Sequence, residues 1–561
     1  MKLIRITYKL FIIFLVLFSS SCQDLTELNE NPNGVEPSTV NPNLLLPTVM
    51  TFIGTNNTIL GYNGDGIAGV MQQLQKDSWA SEFNNYDWDE KDWDDYYSAL
   101  STNDLAYDRA VELGYEFHQG VALVLKSYIF GRITDLWGDA PYTNALNADD
   151  NVIFPEFDSQ ETIYKGIIND LAEASELLSK DASEYDNIND GTDLFFGGDP
   201  AMWQKFANSL ALRYYMRLSV KLPDYAEEGV KKILNEPLFS SIDEECSLAF
   251  VGSGNEDSWP TNTVYDASAS SFKRVKPCAT LTDKLKSLTD PRINVWFNPV
   301  EVPIVISDKY DSDDTVVDKV RYIRGEYLET KNIKIYNSET FKEYREDGYT
   351  LVDTSSIYVG LPPSVASYDP FDYNLNPNPT LGGGNEHVSY MSDLFKEAED
   401  GGELLKSRIL SYAEVCFLKA EAALNGWGGN AEECYNAGIK ASLEDWGIGD
   451  EYDSYIDNDG VVYEGTLEQI MEQKWIASFT VATEAWMDWR RTGYPNLQTG
   501  SSPLRDRIPL RYYYGNDEKN INASNYQDAL SGLETTNYSL TDGEDSAWSK
   551  MWLIQDTDKP W

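Results

Sequence analysis

Apolar residues return every three or four positions through most of this chain, and a stack of amphipathic helices is the arrangement that buries such a pattern. The spacing runs over residues 70–78, 93–113, 116–136, 162–178, 200–220 and 226–234, and again over 409–425, 431–443 and 467–478. Asp199-Pro200 predicts a helix start, with an acidic cap and proline at the first helical position. Between 413 and 446 two helices are predicted, joined by 426–429, whose glycines suit a helix stop and turn.

That helix pair has the form of a tetratricopeptide-type hairpin, in which each unit buries its apolar face against the next. Residues 240–405 break the pattern, being rich in Pro, Gly, Asn, Asp and Tyr with strand-like stretches at 316–324 and 332–336. The expected fold is mainly α: a tetratricopeptide-like helical scaffold at 44–239 and 406–500 with a long irregular, loop-rich insertion containing short strands. An irregular segment, 501–561, follows. Long irregular segments on a rigid scaffold are where function usually sits.

Composition narrows the function. The chain carries 92 acidic against 44 basic side chains, a formal charge of −48, which repels nucleic acid, anionic lipid and polyanionic substrates and argues against all three as partners. At 42% hydrophobic and 13% aromatic it still has ample material for a core, so this is not acidic disorder. Lys2, Arg5 and Lys9 precede the apolar run 10–18, three serines and then Cys22. That order reads as a signal peptide over 1–21, too short to span a bilayer. The expected mature chain has a lipid on Cys22 and a polar tether at 22–43, and reaches the membrane only through that anchor. The remaining cysteines, Cys246, Cys278, Cys416 and Cys434, match no zinc or redox spacing.

Two stretches carry a family resemblance. Asp135-Leu136-Trp137-Gly138-Asp139-Ala140-Pro141-Tyr142 resembles the D-L-(Y/W)-G-D-x-P-Y element of SusD/RagB-type outer-membrane lipoproteins. Trp203-Gln204-Lys205-Phe206-Ala207-Asn208-Ser209-Leu210, continuing to Arg213 and Met216-Arg217, resembles their W-x-K-F-A-N-S-L-x-L-R-x-x-M-R helix. Asp290-Pro291-Arg292, the Ala413-Glu414 and Ala420-Glu421 helix, Gln473-Lys474-Trp475, and Glu484-Ala485-Trp486 with Arg490-Arg491-Thr492-Gly493-Tyr494-Pro495 fall in the family's order. The resemblance covers essentially all of 44–561. It implies a cell-surface nutrient-binding lipoprotein of the outer membrane that delivers an oligosaccharide to a SusC-like TonB-dependent transporter. An oligopeptide receptor of the RagB kind is the alternative, and a surface hydrolase is the reading outside the binding class.

The shared motifs themselves read as architecture. Trp203, Phe206, Leu210 and Tyr214 recur on one helical face, as a core stripe does. Glu484, Trp486, Asp488 and Arg490 read as packing and ion pairing, and Asp139 and Tyr142 as holding a tight turn. Enzyme chemistry finds little support. His118 and His387 are far apart in sequence, and neither has metal-ligand or triad spacing. Gly64-Asp65-Gly66-Ile67-Ala68-Gly69 matches G-x-G-x-x-G, but only the polar 56–63 precedes it, where a dinucleotide site needs a strand. Asp457-Asn458-Asp459-Gly460 has the tail of a calcium loop, with Tyr455 where the first ligand belongs, and reads as a turn. No catalytic residue, metal or cofactor is expected.

Sugar capture needs aromatic faces beside amide and carboxylate groups. Trp79, Tyr86 and Trp88 with Asn84, Asn85 and Asp87 form the densest such cluster, and Trp259, Tyr368 and Tyr373 lie in the irregular insertion. These nine residues are the expected ligand contacts.

Overall fold

The computed structural model describes residues 39–64, 66–76, 81–147, 152–266, 268–337, 349–354, 357–364, 373–378, 384–396, 404–559 and 561. Pro42–Trp561 gathers into one unit. Its first six long helices are α1 (Pro42–Thr58), α2 (Asp94–Leu113), α3 (Glu116–Trp137), α4 (Gln160–Leu177), α5 (Pro200–Arg217) and α6 (Pro223–Ile233). Each packs on the one before it. Helix α3 is buried on nearly all sides, as expected for the central member of such a stack. The second set is α7 (Tyr412–Leu424), α8 (Ala431–Asp445), α9 (Leu467–Ala477) and α10 (Ala482–Thr492). Helix α7 packs on both α8 and α9, and α5 touches α7 and α10, which joins the two sets. The fold is the predicted mainly α, tetratricopeptide-like scaffold with few short strands.

Side-chain caps fix where the helices begin. The Asp199 carboxylate accepts the backbone N–H groups of Ala201 and Met202, with Pro200 opening α5. Ser411, Asn430 and Thr466 do the same for α7, α8 and α9. Gly426, at φ 79°, ends α7 in the left-handed conformation that a side chain would strain.

The predicted helix at 70–78 is corrected. Helix ends by Val70, Gln72 takes a left-handed φ of 55°, and Leu74–Lys76 (β1) pairs antiparallel with Val275–Pro277 (β3). The Asn84 side-chain amide bonds both the N–H and the carbonyl of Lys76, serving that strand as a second neighbour.

The insertion opens with β2 (Cys246–Ala249) and closes with β9 (Lys406–Leu410), which pair antiparallel as its neck. Inside lie a three-stranded sheet of β4 (Ile304–Ile306), β6 (Val320–Ile323) and β5 (Asp314–Val317), and a parallel pair, β7 (Ile333–Ile335) and β8 (Thr350–Val352). Two small apolar clusters fill this part, one around Val300, Val359 and Leu361 and one around Ile304, Ile323 and Val352.

Buried charge joins the helical sets. Glu484 on α10 receives Arg217 of α5 at 2.6 Å, Arg132 of α3 at 3.1 Å and Arg213 of α5 at 3.6 Å. Arg213 also grips Glu414 of α7 through two bonds of 2.8 Å. Arg217 reaches Asp135 at 3.2 Å, and Arg491 binds Glu421 at 2.7 Å and Asp488 at 3.0 Å. Burial alone would push Glu484 up, but Arg213, Arg217 and Arg132 outweigh it and hold the carboxyl well below its usual range.

At the neck, Lys406 lies 2.8 Å from both Glu245 and Asp445, and Arg408 pairs with Asp445. Burial and then the neighbouring Asp445 carboxylate push Glu245 up to about 7. Burial opposes ionisation of Asp445 too, but Arg408 and Lys406 prevail and keep it below the usual carboxylate range.

Two outcomes follow. Glu484→Gln leaves three buried guanidinium groups short of a carboxylate and should cost about 3–5 kcal/mol in denaturant unfolding. Glu245 binds its proton more tightly folded than unfolded. Its contribution is therefore full below about 4.5 and is lost as pH rises through about 7. Unfolding of Glu245→Gln between these limits should show a smaller fall in stability with rising pH than wild type does.

Candidate functional site

The structure turns most of the predicted sugar-stacking rings inward. Trp88 packs edge-on against Trp486 at 5.3 Å and Tyr512 at 5.0 Å, and is only 4% exposed. Trp259 is enclosed by Tyr62 at 4.8 Å, Phe250 at 5.5 Å and Phe395 at 5.8 Å. Tyr86 is buried and accepts a hydrogen bond from Ser364 at 2.6 Å. Tyr373 belongs to the small core around Val300 and Val359. Asn84 is buried on the backbone of Lys76. These five, expected as ligand contacts, are core: their faces and amides are already used. Trp79, Tyr368 and Cys22 lie outside the described residues. Asp87 is exposed and Asn85 half-buried.

Asn85 has a different task. Its Nδ2 donates to the Ser502 carbonyl at 2.6 Å, while the Leu504 N–H donates to the Asn85 carbonyl at 2.7 Å. Gln72 donates to the Gln498 carbonyl at 2.8 Å. The predicted loop thus pins the segment that follows α10, and that segment walls a groove of about 560 Å³.

The groove is built from the end of α10 outward. Gly493, at φ 83°, closes the helix in a left-handed turn and sends the chain into Tyr494 and Asn496. Trp489 and Trp561 also line it, their rings tilted against each other with centres 4.4 Å apart. Trp486 donates to the Pro509 carbonyl at 2.9 Å, and Trp548 to the Arg507 carbonyl at 2.8 Å, fixing the far end of the segment. Tyr494 and Tyr538 line the opening and are half-buried, whereas Asn496, Gln498 and Asp506 are exposed. Gln498 donates to Asn496 at 2.8 Å, and Thr499 bonds Asp506.

Arg507 lies over the Tyr538 ring at 5.2 Å and donates to its hydroxyl at 3.4 Å. Among the described residues it has no carboxylate within ion-pair distance, which is unusual in so acidic a chain. Planar guanidinium, amides, a carboxylate and two accessible rings can recognise hydroxyl-rich ligands by stacking and hydrogen bonding. The motif residues 490–495 read as architecture in the sequence; the clustering of Tyr494, Asn496, Gln498 and Thr499 directly after the Gly493 of that motif is the signal that points to the groove.

The histidines serve structure. His118 is buried against Asn43 at 2.9 Å and is pushed down to about 4 by burial. His387 contacts the Val302 carbonyl at 2.6 Å and Arg321 at 3.0 Å. Asp139 accepts the Gln160 N–H at 2.8 Å, so it holds the start of α4 and is more than a turn residue.

The profile of a SusD-like family described as "Starch-binding associating with outer membrane" matches residues 32–358 and 380–515. No curated protein sequence matches the chain. Among solved structures, a chitin-binding protein aligns at 24% identity and TM-score 0.68, covering 92% of this chain and 100% of its own. A SusD homologue from Bacteroides fragilis aligns at 20% identity and TM-score 0.66, covering 92% and 99%. A chitin-binding SusD homologue from Flavobacterium johnsoniae aligns at 22% identity and TM-score 0.64, covering 91% and 99%. With the family profile matched over most of its length and the helical scaffold shared with these structures, the chain belongs to the SusD-like family of outer-membrane-associated, starch-binding-type proteins.

Proposed function

We propose that this protein captures an oligosaccharide at the outer face of the outer membrane and passes it to a SusC-like TonB-dependent transporter, held to the membrane by a lipid on Cys22. The match to the SusD-like family over most of the chain carries this reading. The chitin-binding descriptions of two structural relatives support a glycan as the ligand class. Among the described residues no helix is long and apolar enough to cross a membrane, which accords with attachment through the lipid alone. The oligopeptide alternative draws on the charge of −48, which would favour cationic peptides.

Mass spectrometry of the mature N-terminus should find acylated Cys22, and Cys22→Ala should move the protein out of the membrane fraction. Gentle detergent extraction should recover a barrel transporter in near-equal amount. An unmodified Cys22, or recovery of the protein alone under conditions that preserve other such pairs, counts against the anchor or the pairing. Calorimetric titration should show oligosaccharide binding without loss of chain length. Trp259→Ala should cost about 3–5 kcal/mol of stability, the penalty of emptying a core, while the folded fraction keeps its affinity.

A further inference from the structure

We propose that the groove behind α10 is the sugar-contacting site, and that it takes a neutral pyranose chain. This inference rests on the glycan reading above and adds where the sugar sits and which sugars fit.

Rigidity comes first. The floor is the end of α10, where Arg491 is bound to Glu421 and Asp488, and Arg490 donates to the Leu510 carbonyl at 2.7 Å and the Asp135 carbonyl at 2.7 Å. The wall is held by Gln72 and Asn85 from the first part of the chain, and by Arg505, which reaches Asp542 at 2.6 Å. Side chains on such a frame meet a ligand already ordered, which lowers the entropy lost on binding.

Chemistry comes second. Tyr494 and Tyr538 offer rings to the apolar face of a pyranose, and Asn496 and Gln498 offer amides that both donate and accept, as sugar hydroxyls do. Arg507 places a planar set of donors beside Tyr538, with no carboxylate within ion-pair distance among the described residues.

Charge selects among glycans. The lining carries Glu468, Asp506 and Asp558 against Arg507 and Lys559, and Lys559 lies 3.3 Å from Asp558. An acidic sugar would meet a lining with three carboxylates against two cations, one of those cations already beside Asp558. A cationic peptide would meet Arg507. A neutral sugar avoids both conflicts. Tyr538, Asp558, Lys559 and Trp561 fall beyond the residues matched by the family profile, whereas Glu468, Asp506 and Arg507 lie within it.

The test is titration calorimetry on the full mature chain with chitohexaose, maltohexaose, an oligogalacturonate of equal length and a lysine-rich peptide. Tyr538→Ala and Arg507→Ala should each weaken binding of the preferred neutral hexaose by about tenfold or more. The exposed pair Asn496→Ala/Gln498→Ala guards against misfolding: it should weaken the same sugar by a similar factor with an unchanged unfolding midpoint. Neutral binding unaltered in the double variant and in Arg507→Ala would place the sugar elsewhere, overturning the site while leaving the glycan function intact. Preference for oligogalacturonate or the peptide would overturn the charge argument. Binding of none of the four by the wild type would overturn the site and remove the support for glycan capture as well.

Discussion

Glu484 is the residue around which the scaffold closes. Ionised and buried, it would be costly alone, and it is tolerable because Arg132, Arg213 and Arg217 reach it from α3 and α5. Two of those arginines are shared, Arg213 with Glu414 and Arg217 with Asp135, and the pattern extends through Asp488 to Lys474 and Arg491. A buried charge lattice of this sort adds little net stability compared with a well-packed apolar core. What it does is define one arrangement of five helices, because a shift of any one would strand a charge away from water. The groove inherits that definition, since its floor is the end of the same helix that carries Glu484.

The neck of the insertion repeats the device on a smaller scale. Lys406 stands between Glu245 and Asp445, and Arg408 lies over the Trp446 ring at 4.2 Å while pairing with Asp445. Two carboxylates and two cations meet where β2 leaves the scaffold and β9 returns to it. Burial, with Asp445 alongside, pushes Glu245 up to about 7, so the neck carries a group whose protonation changes near neutral pH.

The long helices were legible because their apolar stripes run for many turns, and the caps at Asp199 and the glycine stop at Gly426 carry local signals that packing did not override. Helix α1 was not read, because Pro47 sits inside it and the preceding polar residues suggested a tether. The 70–78 stretch misled because helical spacing there yields to Gln72 in a left-handed turn and to Asn84, whose amide stands in for a strand. The site was harder for a different reason. Trp88 and Trp259 are core while Tyr494 and Tyr538 line an opening, yet nothing in their immediate sequence separates them. Burial of a ring depends on what arrives from elsewhere in the chain: Tyr512 for Trp88, Phe395 for Trp259. Arg507 stands out because, among the described residues, no carboxylate lies within ion-pair distance of it, and that arrangement has no sequence pattern.

The division of apolar contacts inside the insertion has a consequence for how such proteins diversify. Residues around Val300, Leu361 and Val388, and around Ile304, Ile323 and Val352, bury one another in clusters separate from the main core. This piece departs and returns at one point, where Phe297 bridges Met391 and Asn298 bonds the Tyr390 carbonyl at 2.9 Å. A segment with adjoining ends and an interior of its own can lengthen, shorten or be exchanged at the cost of loop closure, which rises by only about 0.6 kcal/mol per doubling of length. The helices below need not change register when it does. Changes of length within this piece are thereby uncoupled from the charge lattice, except where Leu361 pairs with Cys278 and Ser364 bonds Tyr86.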